Sequence, residues 1–157
     1  MPYQKIFVAL DRSAQSDFLF EKALEIAKKD GSSLMLFHAL PYESEGITPY
    51  TNLYGQQLMA FTQSLQERID EETESVRQFL TAYAEKAMAE GVPAETTWAI
   101  GEAGRRIRDL AKEWEADLIV VGRRGRQGLT EMVMGSVSNY VVHHVSCCVL
   151  VVQGINR

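Results

Sequence analysis

Residues 122–136 read Gly-Arg-Arg-Gly-Arg-Gln-Gly-Leu-Thr-Glu-Met-Val-Met-Gly-Ser. Three features of this stretch suit the binding of an anion. Glycine lets backbone N–H groups approach a ligand closely, because no Cβ stands in the way. Gly135-Ser136 opens a helix-like segment, and the first turn of a helix offers free amides together with the positive end of its dipole. Arg123, Arg124 and Arg126 can each clamp a phosphate with paired hydrogen bonds. A buried strand, a glycine-rich loop and Gly-Ser at a helix start together describe a phosphate cradle; the plainer alternative is an exposed basic loop. Neither G-x-x-x-x-G-K-(S/T) nor G-x-G-x-x-G occurs in the chain, so the better-known phosphate motifs do not apply.

The second chemical candidate is Asp11, which follows the apolar run Ile6–Leu10. A carboxylate where a buried strand stops can accept hydrogen bonds from ribose hydroxyls, or it can cap a turn. In open parallel sheets ligands bind beyond the carboxyl ends of the strands, where the strand order reverses. Asp11, His38-Ala39 and Gly122 stand at such ends. The other candidates read as structural. His143 and His144 are adjacent and would point about 100° apart on a helix, which does not suit two ligands of one metal. Met132 and Met134 read as packing residues, and Cys147-Cys148 cannot make a disulfide framework.

The elements that must position these residues follow from periodicity. Ile6–Leu10, Ser33–Ala39, Leu118–Val121 and Val149–Val152 are apolar runs without alternation, as expected of strands buried on both faces. Ala94–Ile100 alternates and reads as a strand at or near an edge. Helical spacing recurs from Asp17 to a stop at Gly31, with Ser residues before it as candidate N-caps. It recurs again from about Leu58 to Glu90, where Leu65, Ile69, Val76, Phe79, Leu80, Tyr83 and Ala87 can form one stripe. Two more helices are expected over Ala103–Glu115 and from Gly135-Ser136 onward. Residues 40–57 carry Pro41, Gly46, Pro49, Asn52 and Gly55 and read as a long loop. Strand and helix thus alternate, which predicts a single α/β domain over residues 1–157: a parallel sheet with helices on both faces.

Composition narrows the function classes. The 157 residues are 46% hydrophobic and 24% charged, with a net charge of −5, so a nucleic-acid partner is not expected. The charge is polarised. Residues 40–100 hold ten acids and three bases, whereas residues 122–157 hold four Arg and one acid. With no stretch of 18 apolar residues and no signal peptide at the start, no membrane partner is expected and the cytoplasm is the expected compartment. The apolar last strand, Val149–Val152, would expose an unpaired edge with little charge to guard it. That predicts a homodimer through this strand.

Gly122, Gly125, Gly135 and Ser136 together form the pattern G-x2-G-x9-G-(S/T), which resembles the nucleotide-binding signature of the universal stress protein family. The resemblance extends to Lys5–Asp11, to Ala116–Gly122 and to Gly135-Ser136-Val137-Ser138 before the last strand. It implies a doubly wound five-stranded parallel sheet of order 3-2-1-4-5, of the adenine-nucleotide alpha-hydrolase-like kind. It also implies a bound ATP or AMP, with Mg²⁺ accompanying ATP. Asp11 would meet the ribose or adenine side, and Ala39 would offer its backbone to the adenine. Val121, Gly122, Arg123, Gly125, Gly135, Ser136, Val137 and Ser138 would hold ribose and phosphates. The function implied is that of a nucleotide-binding, homodimeric stress-response regulator with unknown protein partners. A slow ATPase or nucleotidyl-transfer enzyme on the same scaffold is the alternative, and a structural dimer with an empty pocket is a third. The sequence shows no catalytic constellation and no metal site.

Overall fold

The computed structural model describes residues 2–41, 54–123 and 135–153. Strands and helices alternate along them as β1 (Lys5–Ala9), α1 (Ser16–Asp30), β2 (Ser33–Leu40), α2 (Gln56–Ala89), β3 (Ala94–Ile100), α3 (Ala103–Trp114), β4 (Leu118–Gly122), α4 (Ser136–His144) and β5 (Cys148–Val152). The strands form one sheet, every pairing parallel, in the order β3-β2-β1-β4-β5. This is the expected order, with β3 and β5 at its edges.

Strand alternation sorts the core into two layers. Ile6, Val8 and Leu10 face one side of the sheet with Leu34, Leu36, Leu118 and Val120, and they pack against Leu19, Phe20 and Leu24 of α1 and Val76 and Leu80 of α2. Phe7, Phe37, Ile119 and Val121 face the other side, against Ile107 and Ala111 of α3 and Val141 of α4. Both faces are therefore apolar, which is why these strands read as unbroken hydrophobic runs. Burying each such side chain contributes about 1.5–3 kcal/mol, before the entropy of ordering it is set against that gain.

Several boundaries and local details differ from the sequence reading. β1 begins and ends one residue earlier than Ile6–Leu10, although the Leu10 N–H still donates to the Phe37 carbonyl at 2.8 Å. Helix α2 begins at Gln56, inside the segment expected to be loop; residues 42–53 of that segment lie outside the described residues. No serine side chain caps α1. Its N-cap is Gln15, whose N–H is accepted by Ser13 Oγ at 3.2 Å, while the Ser13 carbonyl accepts the Ser16 N–H at 3.1 Å. The turn over residues 13–16 satisfies these donors, so a side-chain cap is not needed. Gly31 ends α1 as expected, at φ 74°, its N–H donating to the Ala27 carbonyl.

The apolar stripe of α2 is used only in its second half. Val76, Leu80, Ala84 and Ala87 are buried, whereas Ile69 is 38% exposed. Length explains this: the helix has 34 residues and β2 only 8. At about 1.5 Å per helical residue against about 3.3 Å per strand residue, the helix is roughly twice as long as the strand it covers. Its aromatic residues tie it to α1, with the Phe20 and Tyr83 rings 4.8 Å apart. The Tyr83 hydroxyl donates to the Asp17 carboxylate, and burial followed by that bond pushes the phenol well above its usual range.

Candidate functional site

The site arises from how the chain leaves two neighbouring strands. β1 and β4 lie side by side, with Ile6 opposite Leu118 and Val8 opposite Val120. After β1 the chain turns to α1 on one face of the sheet; after β4 it passes to α4 on the other. Two elements that part in opposite directions leave a crevice between them. It is a cleft of about 920 Å³ that runs along the carboxyl ends of the strands.

Side-chain size shapes the floor of the cleft. On the α3/α4 face, Phe7 and Phe37 fill the sheet interior with ring centroids 5.4 Å apart. Two residues further along each strand stand Ala9 and Ala39, both lining the cleft. The change from large to small opens space just where the strands end. Ile107 of α3 and the turn Gly101–Ala103 close the far side.

Asp11 sits at the other wall. Its Oδ1 accepts the Ser13 N–H at 3.0 Å, closing a turn. His38 supports this turn from β2. It is buried, and its Nδ1 lies 2.7 Å from the Leu10 carbonyl. The carbonyl can only accept, so Nδ1 carries the proton. His38 therefore has a structural bond as well as a place in the cleft lining.

The end of the cleft beside α4 is pinned by one carbonyl. Arg123 O accepts both the Gly135 N–H at 2.6 Å and the Ser138 hydroxyl at 2.9 Å. Ser138 Oγ also lies 3.1 Å from the Gly135 carbonyl, and the side chain is buried. These bonds join the two ends of the segment 124–134. They also engage the Gly135 amide and the Ser138 hydroxyl, polar groups of two residues that the family resemblance placed around ribose and phosphates. The first helical bond of α4 runs from Asn139 N–H to Gly135 O. The amides of Ser136, Val137 and Ser138 precede it, and no carbonyl of their own helix can reach them. The Arg123 guanidinium donates from Nη1 to Gln153 Oε1 at 2.8 Å, which draws it toward the end of β5.

The structure thus brings Asp11, Ala39, Val121, Gly122, Arg123, Gly135, Ser136, Val137 and Ser138 to one cleft. Gly125 lies outside the described residues, with Arg124, Arg126, Gly128, Met132 and Met134. Chemically the cleft offers an apolar ledge, a carboxylate at one wall and, at the other, helix amides that have no backbone acceptor among the described residues. His143 and His144 lie away from it on α4, both exposed, with the His144 ring stacked on Tyr140 at 3.9 Å. No group of three or more His, Cys, Asp or Glu among the described residues could hold a metal ion.

A family model for the universal stress protein family matches residues 2–153. The chain belongs to this family. Universal stress protein Sll1388 of Synechocystis is 42% identical over 153 residues, spanning 98% of this chain and 99% of that protein. Among solved structures, protein MJ0577 superposes with a TM-score of 0.78 at 20% identity, covering 100% of both chains. A universal stress protein in complex with cAMP gives 0.66 at 23% identity over 98% of each chain. One from Archaeoglobus fulgidus in complex with dAMP gives 0.64 at 22% identity over 96% of this chain and 98% of that one. At these identities the structural likenesses establish the fold alone.

Sequence reasoning overlooked Ala9, two residues of the α3 region, and Gly104. Ala9 was legible, because Phe7 then Ala9 repeats the large-to-small step of Phe37 then Ala39 on the same face. Ile107 and Glu102 reach the cleft only because α3 follows the edge strand β3 back across the sheet. Gly104 acts from outside the cleft lining. A Cβ there would stand 2.8 Å from Tyr140 Cδ1, so its absence lets α3 and α4 close together. Arg108 Nη1 donates to the Tyr140 hydroxyl at 2.6 Å across the same contact. Glycine inside an amphipathic helix was the available signal. Gly104→Ala is expected to destabilise the fold by about 1–3 kcal/mol through overpacking, although alanine is the better helix former. Urea unfolding measures this; an unchanged or raised midpoint would show that α4 yields freely.

Proposed function

We propose that the chain binds an adenine nucleotide, ATP or AMP, in this cleft and acts as a nucleotide-dependent homodimeric regulator in the stress response rather than as a dedicated enzyme. The observation that carries the reading is that Asp11 and the first turn of α4, whose amides have no backbone acceptor among the described residues, line one cleft at the β1–β4 crevice. The G-x2-G-x9-G-(S/T) pattern supports it, as do the cAMP and dAMP complexes of two proteins of the same fold.

In this reading the adenine lies on the ledge of Ala9 and Ala39, and the Asp11 carboxylate accepts hydrogen bonds from the ribose. In the proposal the Ser136, Val137 and Ser138 amides and Gly122 face the phosphates, together with Arg123 and Gly125. Gly135 and Ser138 act through the Arg123 carbonyl and hold those amides in place. When ATP is the ligand, Mg²⁺ enters with it and offsets part of the phosphate charge. The site is filled from the cytoplasm. A slow ATPase or nucleotidyl-transfer enzyme is the alternative reading, and Mg²⁺-dependent turnover that disappears in Asp11→Asn would favour it.

The test of the cradle is Gly135→Val. The φ of −64° at Gly135 accommodates valine, so the helix is kept while close approach from the loop side is blocked. ATP affinity by calorimetry is expected to fall at least about tenfold, a loss of about 1.4 kcal/mol, with the circular dichroism spectrum unchanged. Native affinity in the variant would remove the cradle assignment.

Homodimerisation through β5 is part of the same proposal. β5 is an edge strand, and Val149, Leu150 and Val151 are only half-buried there. Pairing with a second copy would satisfy the edge and cover these side chains. Light scattering at micromolar concentration is expected to give twice the chain mass of 17.7 kDa. A mass of 17.7 kDa would contradict it.

A further inference from the structure

Arg12 follows Asp11 and has φ 63°, in the left-handed region that non-glycine residues rarely occupy. Such a conformation persists only where the surroundings hold it. Here they do so through α2. Arg12 Nη2 donates to Ser75 Oγ at 3.0 Å, and the guanidinium stands over the Phe79 ring, 5.2 Å from its centroid. The same ring meets the edge of His38 at 6.1 Å, and His38 bonds the Leu10 carbonyl. The turn that carries Asp11 is thus braced twice. His38 fixes the residue before it, and Arg12 ties the residue after it to α2. Within the turn, Ser13 N–H occupies Asp11 Oδ1; among the described residues, Oδ2 makes no hydrogen bond.

We propose that Arg12, through Ser75 and Phe79, is a positioning residue. It holds the Asp11 turn in the geometry that receives the ribose, and it makes nucleotide affinity depend on where α2 lies. The proposal rests on the nucleotide reading above and adds to it a named route from α2 to the site. Arg12 itself is exposed and is absent from the cleft lining, so its action is indirect. The consequence is selective. Loss of the tether lowers the contribution of the ribose hydroxyls and leaves base and phosphate contacts in place.

The experiment is a calorimetric titration of native protein, Arg12→Ala, Phe79→Leu and Asp11→Ala with ATP and with 2′,3′-dideoxy-ATP. Arg12→Ala and Phe79→Leu are expected to weaken ATP by about fivefold and to leave the dideoxy analogue within about twofold. Arg12→Ala added to Asp11→Ala is expected to change nothing further, since the group being positioned is gone. Equal weakening of both nucleotides in Arg12→Ala would overturn the proposal in favour of direct phosphate contact or general loosening. Unchanged ATP affinity would overturn it as well.

A ligand-free measurement separates this proposal from the reading beneath it. Amide hydrogen exchange at Ser13 reports the Asp11 bond directly, and it is expected to quicken in Arg12→Ala. Exchange at the native rate would overturn the positioning role. Native protein that binds neither nucleotide, with Ser13 exchange still quickened in the variant, would overturn the ribose assignment while the brace stood.

Discussion

The adjacency of β1 and β4 is the constraint on which the rest of the molecule depends. Because these strands pair in register while their following helices part to opposite faces, the sheet must leave a crevice at their carboxyl ends. Connectivity creates the crevice, and small side chains widen it. Alanines at positions 9 and 39 keep its floor clear, Asp11 supplies a carboxylate at one wall, and α4 aims its first turn at the other.

A second economy lies in the Arg123 carbonyl. One acceptor takes the Gly135 amide and the Ser138 hydroxyl, so the last residue before segment 124–134 and the first residue after it are held together. The cost is that the amide of the motif's Gly135 and the hydroxyl of Ser138 are used inside the protein. The gain is that the three remaining amides of the first turn are fixed before any ligand arrives. Prearranged donors bind an anion without the penalty of ordering them at that moment. Gly104 serves the same end at a distance, since only its missing Cβ allows α3 to support Tyr140 and hence α4.

The parallel sheet and the two-faced core were legible because unbroken apolar strands between amphipathic helices have few physical solutions, whereas the strand order came only from the family resemblance. Asp11 and Gly122 were legible because they stand where such strands end. The roles of individual groups were less so. Gly135 and Ser138 line the cleft, but that their amide and hydroxyl bond the Arg123 carbonyl is a tertiary matter that no local pattern shows. The expected α1 cap is absent for a related reason: Ser13 lies in a turn where its hydroxyl takes the Gln15 N–H and its carbonyl takes the Ser16 N–H. The α2 stripe was overextended because periodicity shows a face without showing how far the sheet beneath it reaches. The tie between Arg12 and Ser75 joins residues 63 positions apart, and no local pattern announces it.

The account stands on the first-turn amides of α4 receiving the phosphates of an adenine nucleotide. The most direct measurement is an amide nitrogen–proton correlation spectrum of labelled protein titrated with ATP. The account predicts saturable shifts at Ser136, Val137 and Ser138, together with Gly122, and none at the far end of α4. Saturating ATP that leaves those four amides unmoved would contradict it.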